Sequence, residues 1–181
     1  MSTIQNKKLI GFAAYSGTGK TTLIKEIVGI LKKSNYRVSV IKHAHHNFDV
    51  DEPGKDSYEI RKSGAENMLI SSSNRWALMH ENHSNDELSL NDLLNILDKI
   101  ESDITLVEGF KAENFPKIEL YREEIGKNRG LLSNKDNNII AVATDTNIEV
   151  KSNLTKLDIN NPSDIATFII NYLNMSKSKS S

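Results

Sequence analysis

Lys20 and Thr21 close the run Ala14-Tyr15-Ser16-Gly17-Thr18-Gly19-Lys20-Thr21, with Thr22 after it, and that run has the makings of a phosphate cradle. A P-loop asks for Gly, four residues, then Gly-Lys-Ser/Thr, set between a strand and a helix. The last three positions match, and Ala14 stands where the first glycine is expected. Alanine keeps the loop tight provided its φ is negative. Gly17 and Gly19 let backbone N–H groups converge on phosphate oxygens, where side chains would block the approach. A helix starting near Lys20 points its positive end at the same spot. Lys20 reaches β- and γ-phosphates, and the Thr21 hydroxyl is placed to ligate Mg²⁺.

Such a metal needs a carboxylate at the end of an apolar strand. Ile104-Thr-Leu-Val-Glu108-Gly109 supplies Glu108, so the metal candidates are Thr21 and Glu108. A dense polar block, residues 42–57, follows another strand at the end where open α/β sheets bind ligands. Asp49 and Asp51 in it are candidate catalytic carboxylates. His43, His45 and His46 could ligate a transition metal, but three histidines without a fourth spaced ligand make a weak zinc signal. A guanine base needs a carboxylate to accept from N1–H and the 2-amino group. Asn134-Lys135-Asp136 precedes its strand, whereas Asp145 directly follows Ile139–Ala143 and is the better-placed base reader.

These residues must be positioned by alternating elements. Leu9–Ala14 is the right length for a buried strand, and Leu23, Ile27, Ile30 and Leu31 recur at helical spacing over Thr21–Ser34. Arg37–Lys42 restarts as a strand, completing a βαβ unit with parallel strands. Ser57–Ser63 reads as a short helix ending at Gly64, and Asn67–Ser71 and Arg75–His80 as two strands about a Ser-Asn turn. Leu90–Ile100 is amphipathic. Strands follow at Ile104–Val107, Ile118–Tyr121, Ile139–Ala143 and Leu154–Ile159, and Asn161-Pro162 opens a helix running to about Leu173. The expected fold is α/β and P-loop NTPase-like, a mostly parallel sheet flanked by helices, with antiparallel hairpins in part of the sheet. Residues 1–175 read as one nucleotide-binding domain and 176–181, all Ser and Lys, as a disordered tail.

The balance of 23 basic and 24 acidic side chains, net charge −1, argues against a general nucleic-acid or membrane-surface binder. The absence of cysteine excludes disulfides, zinc knuckles, Fe–S clusters and thiol catalysis. No run approaches the roughly 18 apolar residues of a membrane span, and residues 1–8 lack the apolar core of a signal peptide, so the expected location is cytoplasmic.

Five blocks, 14–22, 41–51, 53–58, 61–65 (Arg-Lys-Ser-Gly-Ala) and 106–111 (Leu-Val-Glu-Gly-Phe-Lys), closely resemble the molybdopterin-guanine dinucleotide biosynthesis adaptor family, MobB. The resemblance spans about residues 9–170, and Ala14 is what this family's loop looks like. It implies a GTP-binding, weakly GTPase-active homodimer in the cytosol. Such a protein assists the guanylyltransferase that joins GMP to molybdopterin, and meets molybdopterin-bearing proteins. Carried over by motif, Gly17, Gly19, Lys20, Thr21 and Thr22 hold GTP phosphates, and Thr21 with Glu108 holds Mg²⁺; Ser16 and Thr18 of the same loop are further candidates for binding GTP. The 42–58 block lines the cleft for GTP or the molybdopterin-bearing partner. The resemblance does not assign the dimer interface, for which the strands between 67 and 80 are the candidate. The single glutamine, Gln5, precedes the first strand, so no glutamine is placed to orient an attacking water, which fits slow turnover. Two other readings stay open. One is a small-molecule kinase with Asp49 or Asp51 as base and Arg61 neutralising the transferred phosphoryl. The other is a metal-delivery GTPase using His43, His45 and His46.

Overall fold

β1 (Leu9–Ala14) is buried at every position because both of its faces are covered, as a central parallel strand requires. The computed structural model describes residues 7–44, 48–82 and 87–178. They form two compact units, residues 7–43 with 90–178, and the segment between them.

In the larger unit, β1, β2 (Val38–Lys42), β5 (Ile104–Glu108), β6 (Lys117–Tyr121), β7 (Ile139–Thr144) and β8 (Thr155–Asp158) build a six-stranded sheet in the order β2-β5-β1-β6-β7-β8, with α1 (Lys20–Lys33) connecting β1 to β2. Every pairing in it is parallel. Alternation along β1 splits the core in two. Ile10, Phe12 and Ala14 meet Leu23, Ile27 and Leu31 of α1 and Ile165 and Ile169 of α5 (Pro162–Ser178) on one face. Leu9 packs on the other with Leu90 and Leu94 of α3 (Leu90–Leu97) and with Phe115. The connection from β5 to β6 crosses β1 without a helix. It lies close because a Cβ on Gly11 would stand 2.3 Å from the Phe115 ring.

The smaller unit holds α2 (Asp56–Lys62) and the antiparallel pair β3 (Asn67–Ser71) and β4 (Trp76–His80). The P-loop NTPase-like expectation is met, with one correction. The antiparallel pair is a separate two-stranded sheet and does not extend the parallel one. Its short turn fixes the two strands antiparallel to each other and says nothing about a third strand. Gly64 ends α2 at φ +117, as its expected C′ role demands. At α5 the Asp164 N–H donates to Asn161 Oδ1 (3.3 Å) and Asn161 Nδ2 to Asp164 Oδ2 (2.7 Å), a reciprocal cap. That helix continues to Ser178, past the expected end near Leu173, because no Gly or Pro interrupts residues 174–178. Two short pieces carry no helical period and were not anticipated: α4 (Glu123–Gly126) and a 3₁₀ turn at Leu132–Asn134.

Candidate functional site

The loop after β1 gets its shape from two left-handed residues, Gly17 (φ +87) and Gly19 (φ +86). L side chains rarely adopt that conformation, so both positions call for glycine. Between them the Thr18 side chain is buried and its hydroxyl donates to the Tyr15 carbonyl at 2.8 Å. The non-glycine residues with positive φ among the described residues are Asn35 and Phe110. Ala14 therefore keeps strand geometry as the last residue of β1, and its substitution for glycine is unstrained. α1 begins at Lys20 with no side-chain cap, which leaves its first N–H groups facing the loop.

Glu108 ends β5, in register with Phe12 of β1 and Lys42 of β2. Its carboxylate, 13% exposed, gathers three side chains from two elements, α1 and β2. Thr21 donates to Oε1 at 3.4 Å, Lys20 Nζ lies 3.7 Å from Oε1, and Lys42 Nζ lies 3.6 Å from Oε2. Cis ligands of an octahedral Mg²⁺ at about 2.1 Å stand about 3 Å apart. The Thr21–Glu108 pair comes within a few tenths of an ångström of that spacing, and both groups are hard oxygen donors. The residues fit the ion. Lys42 had not been singled out as a site residue. The signal was available, because it sits at a strand's C-terminal end as Glu108 does.

A segment after β6 lies over the loop. Arg122 Nε donates to the Thr18 carbonyl at 3.3 Å, and Tyr15 Oη donates to the carbonyls of Arg129 and Gly130 at 3.2 Å each. The Arg129 guanidinium covers the Tyr15 ring at 5.2 Å. Asp145 follows β7 at the same end of the sheet. Its Oδ2 accepts from Arg122 at 3.0 Å and its Oδ1 from the Glu123 N–H at 3.2 Å. Arg122 also reaches Asn160, beyond β8, at 3.1 Å. Arg122 and Asn160 escape a reading of local motifs, since they are far apart in the chain and meet only once β6, β7 and β8 lie side by side.

The smaller unit contains the remaining candidates. Asp49 is gripped by Arg61 Nη2 at 2.6 and 2.7 Å, while Arg61 Nη1 binds Glu81 at 2.5 Å. The hydrogen bonds from Arg61 hold the Asp49 carboxyl below its ordinary range. Asp51 Oδ1 accepts from the Ser57 hydroxyl at 3.0 Å, and its Oδ2 is buried with no hydrogen-bond partner. His43 belongs to the larger unit, where its N–H donates to the Glu108 carbonyl at 2.8 Å. His45 and His46 lie outside the described residues. Among the described residues, no group of three or more His, Asp or Glu side chains could hold a metal ion.

The family model for MobB, molybdopterin guanine dinucleotide synthesis protein B, matches residues 9–145. The chain belongs to the MobB family. Its similarity extends to the molybdopterin-guanine dinucleotide biosynthesis adapter protein of Escherichia coli K12, 44% identical over 91% of this chain and 93% of that one. The adapter protein of Haemophilus influenzae is 42% identical over 91% and 89% of the two chains. In fold, the chain is similar to crystal structures of MobB from Bacillus subtilis (TM-score 0.70, 20% identity, 90% and 96% covered) and of a MobB homologue from Bacillus stearothermophilus (TM-score 0.68, 22% identity, 93% and 99% covered). As a MobB-family chain it carries a P-loop nucleotide-binding fold, and no helix among its described residues is long and apolar enough to cross a membrane.

Proposed function

We propose that the chain is a GTP-binding adapter with slow GTPase activity that assists the attachment of GMP to molybdopterin. It works in the cytoplasm as a homodimer, with the guanylyltransferase and molybdopterin-bearing proteins as partners. The observation that carries this reading is the meeting of Lys20, Thr21 and Glu108 beneath a left-handed glycine loop. Thr21 and Glu108 would hold Mg²⁺, which neutralises charge on the β- and γ-phosphates when bound. Residues 16–19 offer backbone N–H groups, Lys20 adds charge, and Thr22 extends the polar rim.

The residue types available support slow turnover. The one glutamine is Gln5, and a carboxyl held at lowered pKa, as Asp49 is by Arg61, makes a weak general base. Dimerisation is supported by the β3–β4 hairpin. Leu69 stands opposite Leu78, Trp76 shares their face, and the three are 62, 54 and 56% exposed. Exposed apolar clusters of this kind mark interaction surfaces.

Two titrations test the site. Glu108→Gln keeps the shape and removes the charge a hard cation requires. It should weaken Mg²⁺-dependent binding and hydrolysis while Mg²⁺-free nucleotide binding stays nearly intact. An equal loss with and without Mg²⁺ would assign Glu108 a purely structural part.

For the base, Asp145 accepts from guanine N1–H and the 2-amino group, and adenine offers neither donor. A good bidentate base contact is worth about 1–3 kcal/mol, so GTP should bind one to two decades tighter than ATP. Asp145→Asn offers the base one acceptor and one donor in place of two acceptors. That donor suits the 2-carbonyl of xanthine, so GTP affinity should fall and XTP affinity rise. Unchanged GTP preference in the folded variant removes Asp145 from the site.

A further inference from the structure

Arg122 holds more than Asp145. Its guanidinium has five donors and no acceptor. Nε donates to the Thr18 carbonyl of the phosphate loop at 3.3 Å, Nη1 to Asp145 Oδ2 at 3.0 Å, and Nη1 and Nη2 both to Asn160 Oδ1 at 3.1 Å. A partner made only of donors settles which way the Asn160 amide lies: Oδ1 must face the guanidinium, so Nδ2 faces away. Nδ2 makes no hydrogen bond among the described residues, and Asn160 is exposed.

The backbone beneath this amide is fixed as well. The Asn160 N–H donates to Asp158 Oδ1 at 2.8 Å, and Asp158 pairs with Thr144 at the last step of the β7–β8 ladder. The Ile159 N–H then donates to the Thr144 carbonyl at 3.2 Å. Asp145 and Asn160 are therefore on neighbouring strand ends, bridged by one arginine that is itself tied to the phosphate loop. One offers an acceptor and the other an outward donor.

We propose that Asn160 is a second base-reading residue, donating Nδ2–H to O6 of guanine, and that Arg122 is the positioning residue that aims both readers. This rests on the GTP reading above. Guanine presents N1–H and its 2-amino group as donors on one edge, and O6 and N7 as acceptors on the next. An acceptor at Asp145 beside a donor at Asn160 matches that order. Adenine carries an amino donor at position 6, so it meets Asn160 donor against donor. Through the Thr18 carbonyl, Arg122 also sets the base end at a fixed place relative to the phosphates.

The test is equilibrium titration of GTP, ITP and ATP against the parent, Asn160→Ala and Asn160→Asp, with thermal melts to establish folding. ITP keeps O6 and N1–H and lacks the 2-amino group, so the GTP-to-ITP ratio reports the 2-amino contact to Asp145, and the change in the ITP-to-ATP ratio from parent to Asn160 variant reports the position-6 reader. Asn160→Ala should weaken GTP and ITP by about fivefold to tenfold each, the value of one hydrogen bond, and leave ATP binding no weaker than in the parent. Asn160→Asp places an acceptor against O6, so GTP should lose more than in the alanine variant while ATP gains. A folded Asn160→Ala protein with the parental ITP-to-ATP ratio overturns the assignment and leaves guanine reading by Asp145 standing. Equal parental affinity for GTP, ITP and ATP overturns both.

Discussion

Replacing Lys20 with alanine is expected to abolish triphosphate binding while the fold survives. Lys20 opens α1 with a side chain 21% exposed, outside the apolar cores, and its nearest charged partner is Glu108 at 3.7 Å. Nothing in the packing depends on its ammonium group. A bound triphosphate does depend on it, because the loop's other contributions are backbone dipoles and the uncapped start of a helix. Truncating one partner of a close charge pair costs about 2–5 kcal/mol, or roughly 30- to 4,000-fold in affinity. Lys42, 3.6 Å from Glu108 Oε2, stays behind and accounts for any residual binding. Calorimetric titration with GTP, beside a melt showing the parental transition, checks the outcome. A folded variant within about threefold of the parent would move the phosphate site elsewhere.

The phosphate loop is legible in the sequence because its chemistry is local. Six consecutive residues, 16–21, carry the glycines, the lysine and the hydroxyl, and the strand before them and helix after them follow from spacing alone. Glu108 is nearly as legible, since an acidic residue ending an apolar strand has few other reasons to be there. Sheet order is another matter. β1, α1 and β2 read as one unit, yet β5 lies between the two strands, and no local pattern carries that insertion. Arg122 and Asn160 are hidden for the same reason, as their meeting depends on which strands are neighbours. The Lys117–Tyr121 segment misleads more directly. The strand expected at Ile118–Tyr121 begins at Lys117, and although polar and apolar residues alternate along it, all five are buried. The charged face is covered by the chain leading into β6 and by the 3₁₀ turn, whose Leu132 and Ser133 N–H groups donate to Glu119 at 2.6 and 2.8 Å. Buried charge is possible there because the ammonium of Lys117 and both carboxylate oxygens of Glu119 find partners.

Lys117 offers the largest expected effect on stability. Its side chain is 2% exposed, and Nζ donates to the carbonyls of Lys111 (3.2 Å) and Glu113 (2.7 Å) and to Asp136 Oδ2 (3.0 Å). The ammonium ties the β5–β6 connection to the turn before β7. Lys117→Met keeps most of the volume and strands two carbonyls and a carboxylate, so unfolding should become easier by about 3–5 kcal/mol. The pH dependence gives a second readout. Burial raises the Asp136 pKa, but hydrogen bonds from Asn138 and Lys117 outweigh it and leave the group below 3.8. A carboxyl depressed in the folded state adds stability above its unfolded pKa and loses it as pH falls through the folded one. In Lys117→Met the depression shrinks. The gap between parent and variant should therefore be widest near neutrality and narrow as pH drops through the carboxylate range. Removing the stranded charge with Asp136→Asn should restore part of the loss when added to Lys117→Met, and destabilise the parent when made alone. Denaturant unfolding of the four proteins at neutral and acidic pH completes the cycle. A coupling near zero, or a gap that does not change with pH, would show that the ammonium and carboxylate do not act as a pair.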